Sequence, residues 1–143
     1  MDVERNKATV RRVFEEGFSA GRLQVVDECL ADDAVDHHEL DEGQSFRGHL
    51  KGVITLLRAG MPDLTMTVED LIGEGDKVAA RVVLTGTHTG APILGIEPAG
   101  HAVRVEQFHV VQCGEDGRGR AHWANAGVES LLAQLQAEPA TVR

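Results

Sequence analysis

The sequence predicts an α+β fold in which helices come first and an antiparallel sheet follows. In two N-terminal stretches, residues 3–18 and 46–59, apolar side chains recur at helical spacing. After residue 64 the spacing changes to the period of two that is typical of strands, with Gly-Asp turns between them. Helices grouped ahead of an antiparallel meander indicate an α+β rather than an alternating parallel architecture.

The N-terminal half is predicted to be mainly helical. Gly17 and Gly21 are expected to close the first helix, and Pro62 follows the end of the third. The predicted elements are a helix at Val3–Phe18, a shorter helix from Arg22 with Leu23, Val26 and Leu30 on its inner face, a turn into a short strand at 32–38, and a helix at Phe46–Ala59.

The C-terminal half is predicted to form the sheet and one closing helix. The most informative segment is Gly75–Gly90, a long strand covered on both faces that ends in small and hydroxyl residues around His88. Thr89–Gly100 is then expected to be a loop at the rim of a pocket. The other predicted elements are a strand from Leu64, strands at Ala102–Gln112 and Gly119–Asn125, a helix at Val128–Gln136, and a frayed tail from Ala137.

Composition limits the classes of function. A chain of 143 residues is expected to form a single domain, 1–143, with its core at about 5–136. The formal net charge of -9 argues against nucleic acid or an anionic membrane surface as a partner. Two cysteines indicate neither a disulfide framework nor a cysteine-based zinc site. With no apolar leader or membrane-length apolar run, we expect a cytoplasmic protein.

An acidic run extends from Asp27 to Glu42, with eight carboxylates and no lysine or arginine. We interpret it mainly as a solvated face, and less readily as a rim that repels anions or as a docking face for a basic partner. Within it, Asp36-His37-His38-Glu39 has the composition of a metal site. Adjacent residues of a strand point to opposite faces, however, so no metal site is expected.

Short motifs throughout the chain together resemble one family. The motifs are Val35-Asp36-His37, Pro62-Asp63-Leu64, Gly75-Asp76-Lys77-Val78, Thr85-Gly86-Thr87-His88-Thr89-Gly90, Asp116-Gly117-Arg118, His122-Trp123, Leu131-Leu132 and Gln134-Leu135. In this order the chain resembles the SnoaL-like polyketide cyclases of the NTF2-like superfamily. The resemblance implies a cone, in which a curved antiparallel sheet wraps around N-terminal helices and encloses a pocket for a hydrophobic small molecule. It also implies no cofactor or metal, and a homodimer through the outer sheet face.

The resemblance further implies acid–base chemistry on a carbonyl compound. In cyclases of this kind a general base takes a proton next to a carbonyl, and a general acid protonates the accepting oxygen. Histidine suits both roles near neutral pH. Cyclisation, isomerisation and dehydration would all use such groups, so the sequence leaves these reactions open.

Three histidines are the candidate catalytic residues: His122 first, then His109 and His37. His122 either lines the cavity or lies on the outer sheet face. The inward face of its neighbouring strand is equally open: either Val103, Val105, Gln107 and His109 point inward, or Arg104, Glu106, Phe108 and Val110 do. A count from the turn at 114–117 places His109 beside either Ala121 or His122. His37 is expected on the side of Val35, facing inward, or else as a cap at the pocket mouth.

Four further residues are candidates for binding the substrate. Trp123 and Phe108 would form walls of the pocket, and Asn125 would orient a carbonyl. His88 shares the parity of inward-facing residues unless the flanking glycines introduce a bulge, so it is as readily structural as functional.

One position departs from the family pattern. Family cyclases carry an aspartate, the expected acid or base, four residues after the tryptophan of the His-Trp pair, and here that position is Gly127. The usual aldol machinery is therefore absent, moved to a histidine or replaced by another reaction, and a second hypothesis is that the chain binds a ligand without transforming it. An epoxide hydrolase is a third hypothesis. It would need an Asp-Arg-Asp set in the cavity, and only Arg81 or Arg104 offers the arginine.

Overall fold

The computed structural model describes residues 2–37 and 45–137. The elements are α1 (Val3–Arg12), a π-helical segment (Val13–Ser19), α2 (Gln24–Cys29), β1 (Leu30–Asp36), α3 (Phe46–Gly60), β2 (Thr65–Glu74), β3 (Lys77–Thr87), β4 (Ala102–Cys113), β5 (Gly119–Asn125) and α4 (Val128–Leu135). His38, Glu39, Asp41 and Glu42 of the acidic run lie outside the described residues, as does the predicted tail beyond Ala137.

The five strands form one sheet in the order β1-β5-β4-β3-β2. β2 to β5 make the predicted antiparallel meander, whereas β1 pairs with β5 in parallel. A parallel pair requires a long crossover, and here the chain passes through α3 and three strands before it returns. The predicted α+β class is confirmed, with a curved sheet and helices on its concave side.

Strand periodicity selects the face that meets the helices. In β3, Val78, Ala80, Val82 and Leu84 are all at most 3% exposed. They belong to one core cluster with Val10, Phe14 and Ile54 of the helices. Burying such side chains contributes about 1.5–3 kcal/mol each, so the packing of helices onto this face is the main source of stability.

The first helix departs from the prediction of a continuous α-helix to Phe18. Its final turns are π-helical, from Val13 to Ser19, and continue directly from α1. Within this segment Phe14 and Phe18 stack, with ring centroids 6.0 Å apart. Such segments are rare and frequently mark functional sites. Apolar spacing alone does not distinguish them from α-helix.

The second helix is shorter than predicted, because Leu30 begins β1 instead of ending the helix. Two arginines hold the junction of α2 and β1. Arg47 and Arg118 both donate hydrogen bonds to the carbonyl oxygens of Asp27 and Leu30, at distances of 2.6–3.0 Å. These bonds satisfy carbonyls that a helix end leaves without partners.

The segment after β3 folds back against the end of α3. The backbone N–H groups of Gly90 and Ala91 donate to the carbonyls of Gly60 and Ala59, both at 2.9 Å. Ile93 is fully buried, and Leu94 lines the cavity described below. Of the helices in the described part of the chain, none has the length and apolarity needed to cross a membrane.

Candidate functional site

A cavity of about 270 Å³ lies between the concave face of the sheet and the helices. Most of its walls are apolar and come from the π-helical segment, α3, β2, β3 and α4. Its polar side chains are Asp36, Gln107, His109 and His122 on β1, β4 and β5, and His49 on α3. A concave, mainly apolar cavity with a few convergent polar groups is typical of a small-molecule site.

The burial pattern of β4 decides which of its faces is concave. Val103, Val105, Gln107 and His109 are buried, while the alternating residues between them are exposed. The first of the two alternatives left open by the sequence is therefore the one adopted. This buried face of β4 meets the helices, and it places Gln107 and His109 in the lining of the cavity.

His122 reaches the same cavity from β5. The sequence expectation that His109 stands beside Ala121 or His122 is wrong in register, since His109 pairs with Ala124 and His122 pairs with Val111. Two residues separate the pairs along each strand, so both histidines point to the same face as diagonal neighbours. A shift of register between Gln112 and Cys113 moves the pairing away from the simple count.

Asp36 completes the group from β1. The parallel pairing sets Asp36 directly beside His122, and its side chain is only 4% exposed. Within the acidic run it is thus an exception to the expected solvated face. A buried carboxylate of this kind requires a charged or hydrogen-bonding partner.

These four side chains form one continuous line of hydrogen bonds. Asp36 Oδ1 is 2.8 Å from His122 Nδ1, and His122 Nε2 is 2.9 Å from His109 Nδ1. His109 Nε2 is in turn 2.9 Å from Gln107 Oε1. We call this group, Asp36, His122, His109 and Gln107, the histidine relay.

Aromatic rings hold both imidazoles in place. Phe14 packs against His109 with centroids 4.8 Å apart, and Phe46 stacks on His122 at 5.2 Å with planes inclined by 13°. The two imidazoles are themselves stacked at 5.2 Å. Phe14 reaches His109 from the π-helical segment.

The relay is compatible with either two or three N–H groups on its two imidazoles, depending on which end of the Gln107 amide faces His109. With Asp36 ionised and Gln107 presenting Oε1, the three contacts need three N–H groups on two rings, which makes one imidazolium. If the Gln107 amide turns and presents its NH₂ group, two N–H groups suffice and both rings are neutral. The same geometry therefore accommodates a general acid and a general base.

Three predicted substrate-binding residues lie outside the cavity. Phe108 and Trp123 are 51% and 38% exposed, and Asn125 is exposed as well. They alternate with His109 and His122 along their strands and therefore face away from the cavity. Asn125 instead accepts a hydrogen bond from the N–H of Gly127 at 3.3 Å. Their expected roles as pocket walls or carbonyl ligand are corrected.

His37 and His88 also lie apart from the relay. Val35 is 49% exposed and His37 is exposed, so their shared parity holds but both face outward, and His37 stacks on Trp123 at 4.8 Å. His88 is fully buried, with Nε2 2.8 Å from the carbonyl oxygen of Ala91. It does not line the cavity.

The backbone explains why glycine occupies position 127. Gly127 has φ of +65° at the start of α4, in the left-handed region that favours glycine. A Cβ atom there would come within 2.6 Å of Val105 Cγ1 and 3.0 Å of the Glu106 carbonyl oxygen. An aspartate would be strained and would displace Val105, so this chain does not accommodate the family residue at this point.

Other polar clusters lie away from the cavity. Arg81 pairs with Asp70 at 2.6 Å and with Glu106 at 3.2 Å, and these hydrogen bonds raise its pKa. All three side chains are more than one third exposed. Arg104 is exposed too, so neither arginine proposed for an epoxide hydrolase lines the cavity. Among residues 2–37 and 45–137, no group of three or more His, Cys, Asp or Glu is placed to hold a metal ion.

The two cysteines are buried and free. Burial raises the pKa of both thiols, that of Cys113 to about 11, and nearby Asp76 adds to the latter shift. Neither thiol is suited to nucleophilic chemistry, which requires the thiolate.

Comparison with known proteins places the chain in a family. The family described as SnoaL-like polyketide cyclase matches residues 8–135. This chain belongs to that family. A search of curated proteins found no match.

Solved structures of SnoaL-like proteins share the fold. TsrD from Streptomyces laurentii has a TM-score of 0.83 and 25% identity, covering 96% of this chain and 99% of its own. IdmH from Streptomyces antibioticus, named as a candidate polyketide cyclase, has a TM-score of 0.75 and 31% identity, covering 92% and 99%. A candidate SnoaL-like polyketide cyclase from Jannaschia sp. CCS1 has a TM-score of 0.78 and 25% identity, covering 96% and 95%.

Two members of the relay are absent from the candidates chosen by sequence. Asp36 was assigned to the acidic run, and its partner His122 lies 86 positions away, so no local pattern connects them. Gln107 does share strand parity with His109, two residues on. That spacing is a signal from which Gln107 could have been proposed once His109 was taken to face inward.

Proposed function

We propose that this SnoaL-like protein is a cofactor-independent enzyme that cyclises, isomerises or dehydrates a neutral, hydrophobic carbonyl compound of polyketide type. The observation that carries the proposal is the histidine relay at the polar end of an apolar cavity. Among the described residues that line the cavity, Asp36 is the only acidic or basic side chain other than the histidines. A neutral substrate with one polar end matches this lining.

His109 is the proposed catalytic acid and base. Its Nε2 atom is 2.9 Å from Oε1 of Gln107, a neutral side chain that can turn away and admit the substrate. Nε2 would remove a proton from the carbon next to a carbonyl and return a proton to carbon or oxygen. His122 would share the positive charge and Asp36 would stabilise it, so these two are positioning residues. In each turnover His109 takes one proton from the substrate and returns one to it.

The proposal is tested with 2-methylcyclohexanone in D₂O, by following deuteration next to the carbonyl with NMR. We expect catalysed exchange that falls about 10²–10⁴-fold in His109→Gln, the usual contribution of general acid–base catalysis. His101→Gln is the matched control, because His101 does not line the cavity. Exchange that is equally fast in wild type and His109→Gln would contradict the proposed role.

A second candidate is a ligand-binding protein without turnover, and Gly127 is the observation that favours it. The position expected to carry the family acid or base has no side chain. A panel of polycarbonyl compounds, followed by mass spectrometry for both retained and converted mass, separates the candidates. One equivalent of unchanged compound would support a binder, whereas product beyond one equivalent would support an enzyme.

We also propose a homodimer formed through the outer face of the sheet. Large apolar side chains, among them Phe108, Trp123 and Ile72, are exposed on this face. Phe108 pairs with Arg81 across β3 and β4 and so lies beside the ion pairs of Arg81 with Asp70 and Glu106. An apolar centre bordered by charged groups is a common composition for a protein interface.

A further inference from the structure

A second cavity adjoins the main one at the histidine relay. It has a volume of about 60 Å³ and is bounded by α1, the π-helical segment, α2, β1, α3, β4 and β5. The two cavities share five lining residues, which are Phe18, Phe46, Leu50, His109 and His122. We call the smaller cavity the inner chamber. Both imidazoles stand between it and the main cavity.

The described walls of the inner chamber are almost wholly apolar. Val10, Val13 and Phe14 line it from one side and Leu30 and Val111 from others. The imidazoles offer it little polarity, because all four of their ring nitrogens are in the hydrogen bonds of the relay. A water there would lack the two to four polar partners that buried water needs, so the chamber suits an apolar group.

The size of the chamber limits its occupant. An apolar cavity of about 150 Å³ holds benzene, so a chamber of about 60 Å³ is too small for a ring and fits a chain of about two or three carbons. The two cavities meet at the imidazoles, so one ligand can occupy both, with its larger part in the main cavity.

We propose that the inner chamber is a binding subsite for a short, unbranched alkyl substituent on the carbon next to the reacting carbonyl. The inference rests on the proposed function, in which His109 acts on that same carbon. With the carbonyl and ring in the main cavity, the substituent extends past the imidazoles and lies against Val13 and Val111. The chamber thereby selects among substrates and turns the reacting carbon toward His109.

The test measures the affinity of 2-alkylcyclohexanones with methyl, ethyl, propyl, butyl and hexyl substituents by isothermal titration calorimetry. Affinity is expected to rise about fourfold per methylene up to propyl, as each buried CH₂ contributes, and to fall by hexyl. Val13→Met, which fills the chamber with an unbranched side chain, is expected to abolish this rise. Val68→Met is the matched control, since Val68 is partly buried and lines neither cavity.

Two results would overturn the subsite. One is an affinity that does not depend on chain length, and the other is an unchanged length profile in Val13→Met. Val111→Leu replaces Val13→Met if that variant does not fold, and thermal denaturation checks folding of each.

Deuterium exchange on the same compounds keeps the two proposals separate. A length profile without exchange would support the subsite and contradict the enzyme, exchange without a length profile would do the reverse, and no binding by any member would contradict both.

Discussion

At the scale of single residues, Asp36 decides how the two histidines can work. It is buried and bonded to His122 Nδ1, and this bond selects which nitrogen of His122 faces His109. The adjacent His37 has no such position because it faces outward. The partner of His122 is therefore Asp36, a residue that the charge pattern alone assigns to a solvated face.

Asp36→Asn is expected to slow deuterium exchange by about 10- to 100-fold. The estimate follows from the loss of a hydrogen bond to a charged group, worth about 1.5–3 kcal/mol, with tenfold in rate for each 1.4 kcal/mol. The effect should appear in kcat more than in KM, because Asp36 stabilises the charge that develops on the relay. Asp33→Asn, at an exposed position of the same strand, is the control. Equal rates for Asp36→Asn and wild type would remove Asp36 from the mechanism.

Gly127→Ala is expected to lower the free energy of unfolding by about 1–3 kcal/mol, measured by urea denaturation. The cost has two sources: the positive φ, which a non-glycine residue adopts with strain, and the contact of a new Cβ with Val105. Gly52→Ala is the control, since it is exposed in α3 with nothing within 4 Å of a new Cβ. There the change should stabilise by up to about 1 kcal/mol through helix propensity. A neutral Gly127→Ala would mean that position 127 could accommodate the family aspartate.

At the scale of elements, connections between helices and strands position the relay. The two arginines at the α2–β1 junction hold the start of the strand whose last residue is Asp36. The hydrogen bonds of the loop after β3 tie it to α3, whose side chains line the cavity. Errors in any of these connections would separate the members of the relay, even with every strand formed.

Arg47→Met is expected to destabilise the protein by about 1.5–3 kcal/mol. Methionine preserves much of the apolar stem but leaves the carbonyls of Asp27 and Leu30 with fewer donors. Arg11→Met is the matched control, because the Arg11–Glu15 pair is about half exposed and should contribute less than about 1 kcal/mol. Thermal denaturation of both variants measures the difference. Equal melting temperatures would show that Arg118 alone is sufficient.

The connection between α3 and β2 should weaken in acid. The backbone N–H and the hydroxyl of Thr87 both donate to Asp63, and these bonds lower the pKa of its carboxyl group. A lowered pKa stabilises the folded state above the unfolded value of about 4, and this stability is lost as the pH falls below it.

Asp63→Asn is therefore expected to reduce the stability difference between about pH 7 and about pH 3 relative to wild type. Urea denaturation at the two pH values measures it. Glu129→Gln, at an exposed carboxylate of α4, should leave the difference close to that of wild type. If Asp63→Asn shows the full acid loss, the Thr87 contact does not contribute to it.

At the scale of the whole molecule, the two faces of the sheet have different roles. The concave face carries the cavities and the relay, while the outer face exposes Phe108 and Trp123. The net charge of -9 is consistent with a neutral or cationic ligand rather than an anionic polymer. The proposed dimer would cover the outer face and leave the cavity side available.

Phe108→Glu is expected to shift the protein from dimer to monomer in sedimentation equilibrium. The new carboxylate would stand beside Glu106 and Asp70 and would be buried at an interface, which is unfavourable for an unpaired charge. Leu23→Glu, at an exposed residue just before α2 and outside the sheet, is the control for the loss of an exposed apolar side chain. A wild-type protein that sediments as a monomer would contradict the proposed dimer directly.

The sequence by itself determined the succession of helices and strands, the α+β class and the family, because these depend on local periodicity and short motifs. Only the tertiary structure decided which face of β4 is concave, since the alternation there is ambiguous without the packed helices. It also decided that Asp36 meets His122, a pairing that depends on the parallel contact of strands distant in the chain. The elements of this protein are encoded locally, but its histidine relay exists only because the sheet brings three strands together.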